Sequence, residues 1–125
     1  MAVPADTASA SEVVKAYLEA LDAHDCDTAK AVATGGFAAT ADRWCTGVAG
    51  LTHVEVKTPN PEDPRWLGFP RHTPAEFVSV PVAFELDWRW FHGDGSLEEG
   101  RTGWGYILVR DEPDGQWRIF DQGCC

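Results

Sequence analysis

From Ser11 onward, Val13, Val14, Tyr17, Leu18 and Leu21 recur at helical spacing, and Glu12, Lys15, Glu19 and Asp22 occupy the opposite face. The pattern predicts an amphipathic helix of about four turns. Ser9 or Ser11 can cap its start, and Asp25-Cys26-Asp27-Thr28 marks a break followed by a new N-cap. A second short helix is expected over Ala29 to Ala33, stopped by Gly35 and Gly36, with a third helical turn over Phe37 to Trp44.

After Gly47 the period changes from helical to alternating. Leu51 to Lys57 reads as a first strand, and Pro59, Pro61, Pro64, Pro70 and Pro74 make a long irregular connection. Phe77 to Phe91 carries the strongest strand pattern, with Val78, Val80, Val82, Phe84, Leu86, Trp88 and Trp90 all of one parity. Pro81 restricts that strand to an edge or a bulge at its position. A turn at His92 to Gly95, a strand over Gly103 to Arg110, a hairpin loop at Asp111 to Gly115 and a last strand over Gln116 to Gln122 complete the chain. Helices first and strands afterwards predict an α+β fold, with N-terminal helices packed on one face of a mainly antiparallel sheet.

At 125 residues there is room for one domain. Residues 1–10 read as a flexible N-terminal segment, 11–123 as the domain and 124–125 as a tail. The composition, 44% hydrophobic and 24% charged, is that of a globular protein and argues against disorder. Ten Lys and Arg against twenty Asp and Glu leave a net charge of −10, which argues against nucleic acid and against anionic membranes as partners. No stretch approaches the roughly 20 apolar residues of a membrane-spanning helix. The first ten residues lack a basic head, so the chain as written reads as cytoplasmic, or as exported if it is a mature fragment.

Cys26, Cys45, Cys124 and Cys125 allow three full pairings. A bridge between Cys26 and Cys45 would tie two neighbouring helical segments together in an oxidising compartment. Without a C-x-x-C, and with His24, His53, His72 and His92 scattered, no metal site is expected and no cofactor is implied.

The Val13-Val14-Lys15-Ala16-Tyr17-Leu18-Glu19-Ala20-Leu21-Asp22-Ala23-His24-Asp25 helix, the short helix beginning at Asp27-Thr28-Ala29 and the closing Asp114-Gly115-Gln116-Trp117-Arg118-Ile119-Phe120-Asp121 resemble the nuclear-transport-factor-2-like superfamily. The resemblance covers the order of elements over nearly the whole chain. It implies a cone: a curved sheet wrapped around the first helix, with one pocket at an open end. The superfamily includes polyketide cyclases, ketosteroid isomerases, dehydratases, epoxide hydrolases and non-catalytic binding domains, so the fold leaves function open. Its enzymes place an Asp, His or Tyr inside an otherwise apolar cone, and dimerisation through the open sheet face is common among its members, so a homodimer is among the implications.

Strand parity assigns Phe84, Leu86, Trp88 and Trp90 to the interior and Glu85, Asp87 and Arg89 to the exterior. An alternating acid and arginine is similar to the pair used by epoxide hydrolases of the superfamily, but here Asp87 precedes Arg89. In the last strand Trp117, Ile119 and Asp121 share a face, which would carry Asp121 to the pocket or its rim, where partial burial suits a general base. The same carboxylate can equally accept backbone hydrogen bonds at a strand end. Tyr17 is central to the first helix's apolar stripe, as a hydrogen-bond donor to substrate or as a core tyrosine. Phe84, Trp44, Trp88, Trp90 and Trp104 would wall the pocket.

The expected function is therefore binding of an apolar or aromatic small molecule, extended to cofactor-independent cyclase, isomerase or dehydratase chemistry if Asp121 and Tyr17 act on it. The alternative is a non-catalytic sensor or accessory domain, exported and stapled by Cys26 and Cys45.

Overall fold

The computed structural model describes residues 3–70, 73–89 and 100–123. Among the described residues, three α-helices precede an antiparallel sheet of five strands, an α+β arrangement. Helix α1 spans Ala10–Asp22, α2 Cys26–Ala31 and α3 Ala38–Gly47. Strands run β1 Val48–Val56, β2 Asn60–Glu62, β3 Glu76–Trp88, β4 Gly100–Arg110 and β5 Arg118–Gly123.

Of the two candidate caps for α1, the structure uses Ser9. Its hydroxyl accepts from the Glu12 amide at 3.2 Å while the Glu12 carboxylate accepts from the Ser9 amide at 3.0 Å, a reciprocal box that satisfies two otherwise orphaned donors. Val13, Val14, Tyr17, Leu18 and Leu21 are buried, joined by Ala10 and Ala20. The helix ends where His24 turns to a positive φ of 58°. Asp25 then accepts from the Thr28 amide, so α2 begins at Cys26, three residues earlier than the apolar pattern indicates.

Cys26 and Cys45 form a disulfide with their Cα atoms 5.5 Å apart. It joins the first residue of α2 to the last turn of α3. Closing a loop of 19 residues' separation removes unfolded-state entropy, an effect of about 3 kcal/mol.

The sheet order is β1-β3-β4-β5, with β2 also paired to β3. β1 and β2 lie end to end along the same side of β3, opposite Val82–Trp88 and Phe77–Ser79 respectively. The Pro-rich connection thus contains a short strand and a 3-10 turn, Pro64–Leu67, within what its sequence marks as irregular. Pro81 lies within β3, opposite Gly105 of β4. Its carbonyl accepts from the Lys57 amide at 2.8 Å, so its missing N–H faces the same side, just past the end of β1, where only the reciprocal bond to Lys57 is forgone.

One sheet face carries the core. Val80, Val82, Phe84, Leu86 and Trp88 of β3, Trp104, Tyr106 and Leu108 of β4 and Ile119 of β5 are buried there with the apolar residues of the three helices. Asp87 and Arg89 are exposed, and Glu85 is half-buried.

Candidate functional site

The buried face brings together aromatic side chains from distant parts of the chain. Tyr17 of α1 and Tyr106 of β4 meet edge to face with ring centroids 5.4 Å apart, and Phe37 lies 6.1 Å from Tyr17. Trp44 of α3 sits 5.1 Å from Trp88 and 5.9 Å from Trp104. These are contact distances for offset and tilted rings. Phe84 is fully buried on the same sheet face. Trp90 lies outside the described residues.

Polar atoms are carried into this apolar region without being satisfied there. The Tyr17 and Tyr106 hydroxyls, the Trp44 and Trp104 indole N–H groups and the Gln122 Oε1 are buried with no hydrogen-bond partner among the described residues. Buried polar groups are paired in the great majority of cases, and each unpaired one costs about 1–3 kcal/mol. Burial pushes the Tyr17 phenol well above its usual range. Burial, and then the neighbouring Tyr17, push the Tyr106 phenol up as well. Both therefore remain neutral and can donate a hydrogen bond, but neither can act as a base near neutral pH.

Gln122 is the residue that parity misses, and Asp121 is the one it misplaces. Leu108 pairs with Ile119, but Ile107 pairs with Asp121, so β5 gains one residue, Phe120, between them. The extra residue reverses the alternation. Asp121 now stands opposite outward-facing Ile107 and is exposed, while Gln122 stands opposite Tyr106 on the buried side. The expectation that Asp121 shares the inner face with Trp117 and Ile119 is corrected by this bulge. Its Oδ1 accepts from the Gln122 amide at 2.8 Å, the strand-end role open to it from the start.

The bulge is favoured by what Phe120 reaches. Its ring lies 5.7 Å from Phe69 and 5.9 Å from Phe77, and those two rings are 5.0 Å apart, a small aromatic cluster on the other side of the sheet. Trp117 is buried beneath Arg110, whose guanidinium carbon is 4.4 Å from its ring centre.

Chemically, the region offers four hydrogen-bond donors, two of them phenols whose oxygens also accept, and one amide oxygen, among aromatic walls. Among the described residues no inward carboxylate or imidazole accompanies them, and no group of three His, Cys, Asp or Glu residues converges as a metal-binding set. His24 and His53 are exposed, and His72 and His92 lie outside the described residues. Compared with family models, curated proteins and solved structures, the chain matches none.

Proposed function

We propose that this chain is a small-molecule-binding protein whose ligand is an apolar or aromatic molecule bearing a hydrogen-bond acceptor such as a carbonyl oxygen. The observation that carries the reading is the set of four unpaired donors, Tyr17, Tyr106, Trp44 and Trp104, buried among aromatic rings. An acceptor oxygen placed against one or two of them relieves part of a desolvation cost that the ligand-free protein bears. The rings already touch, so a ligand is admitted only as they separate, and the bound conformation is a minor state of the free protein.

Binding is favoured over acid/base catalysis because the inward titratable groups among the described residues are two phenols held neutral by burial. A cyclase, isomerase or dehydratase needs a group that accepts a proton within reach of its substrate. Asp121, the base suggested by strand parity, is exposed.

The Cys26–Cys45 bridge favours a compatible second reading, in which the binding domain works in an oxidising compartment as an exported accessory or sensor. Peptide mapping of protein from its native host, alkylated before reduction, tests this: recovery of Cys26 and Cys45 as free thiols would remove that reading.

The binding reading is tested by titrating the protein with acetophenone and acetonaphthone while following the indole N–H resonances. Saturable shifts at Trp44 and Trp104, weakened in Tyr17→Phe and Tyr106→Phe, are expected. Absence of saturable shifts across a broad panel of aromatic ketones, quinones and esters would remove it.

A further inference from the structure

A sheet edge offers unpaired backbone groups to any strand that can reach it, and folded proteins normally cover or blunt such edges. Here β5 is covered at Ile119, whose N–H donates to the Val32 carbonyl and whose carbonyl accepts from Thr34, each at 2.9 Å. The opposite edge, formed by β1 and β2, is blunted at two points. Pro61 of β2 has no N–H to donate, and Asp22 of α1 accepts from the Leu51 amide of β1 at 3.0 Å.

Between those two points the edge is open. Because the Lys57 amide bonds inward to Pro81, alternation along an antiparallel strand turns the N–H and C=O of Val56 away from β3. A bulge between Thr52 and Glu55 takes in His53, at a φ of 50°, and Val54. Arg101 braces the bulge from β4, donating to the His53 carbonyl and to Glu55, each at 2.9 Å.

Alongside this open edge a groove of about 440 Å³ runs between α1 and β1. Leu18, Leu51, Val54 and Val56 form its apolar lining, and Val54 is 40% exposed. The α1 wall presents Glu12, Lys15, Glu19 and Asp22, spaced three, four and three residues apart and so aligned as one stripe. Three carboxylates face one ammonium.

We propose that this groove is a docking site for an extended basic peptide segment of a partner protein. The segment adds as a strand to β1 beginning at Val56, lays its apolar side chains on Val54 and Val56, and sets its Lys and Arg residues against Glu12 and Glu19. Main-chain pairing supplies affinity and the helix wall supplies selectivity, as in other strand-addition sites. The charge complementarity decides the occupant. A second copy of this chain would bring another acidic stripe and another net charge of −10 to the same groove. This inference is independent of the aromatic interior and of what binds there.

The test uses the intact, disulfide-bonded chain and a fluorescein-labelled peptide in which Lys and Val take turns at every second position with Thr between them, so that both lie on one face of the extended chain, followed by fluorescence anisotropy and amide chemical shifts. Saturable, salt-weakened binding with shifts centred on Val54 and Val56 is expected. Glu19→Lys should bind roughly fivefold more weakly, the scale of an exposed charge contact. The same peptide N-methylated at every residue should lose binding, because it keeps its charge but loses its N–H donors. Two of the outcomes that would overturn the proposal need no variant: equal binding of the same peptide with Glu in place of every Lys, or undiminished binding of the N-methylated one. So would an absence of saturable binding, shifts centred elsewhere, or sedimentation as a dimer whose Val54 and Val56 amides are already protected.

Discussion

Gln122 stands directly opposite Tyr106 across β5 and β4, and the buried polar end of each side chain lacks a hydrogen-bond partner among the described residues. A donor and an acceptor so close in register, yet unpaired, each carry a desolvation cost of about 1–3 kcal/mol. Natural proteins commonly accept such a cost where a ligand is bound.

Replacing Tyr17 or Tyr106 by Phe should therefore stabilise the ligand-free protein while weakening its ligand. Each substitution removes an unpaired buried hydroxyl and keeps the ring, for a gain of about 1 kcal/mol. For a chain of this size that raises the melting temperature by roughly 3–5 °C. Thermal unfolding with and without acetophenone checks both signs, and a loss of stability in both variants would mean that the hydroxyls are satisfied.

Alkaline pH should destabilise the fold through the same two residues. Their folded-state pKa values lie above the unfolded value, so the stability they contribute is complete below about pH 10 and declines above it, as the unfolded chain ionises and the folded chain does not. Each phenol then costs about 1.4 kcal/mol per pH unit until its folded-state pKa is reached. Tyrosinate absorbance should rise together with loss of structure. A smooth titration near pH 10 in the folded protein would contradict the burial.

Asp121→Asn should leave stability within about 0.5 kcal/mol of the parent, since the residue is exposed. Its Oδ1 can still accept from the Gln122 amide. Ligand binding should also be unchanged. A large loss of binding on this substitution would restore Asp121 to the site.

Removing the disulfide as Cys26→Ser with Cys45→Ala should lower stability by about 3 kcal/mol. Denaturant unfolding measures it. Reduction of the unmutated protein should have a similar effect, and no effect in either case would show that the helices are held by packing alone.

The helical stripe on α1, the order of the elements other than β2 and the 3-10 turn, and the alternation of β3 were legible in the residues, because each is a local periodicity imposed by burying one face. The capping residues were visible too, although only the folded chain chose Ser9 over Ser11. Aspects that depend on partners distant in sequence were not legible. Pro81 is tolerated inside β3 because β1 ends and β2 begins opposite it, and nothing near Pro81 records where another strand stops.

By itself the sequence determined an α+β domain, a buried Tyr17 and an aromatic interior, since hydrophobic spacing and residue type suffice for those. Tertiary structure alone decided which polar groups reach that interior. Side chains alternate with a strict period of two along a strand, so the single extra residue at Phe120, drawn toward Phe69 and Phe77, turns Asp121 out and Gln122 in.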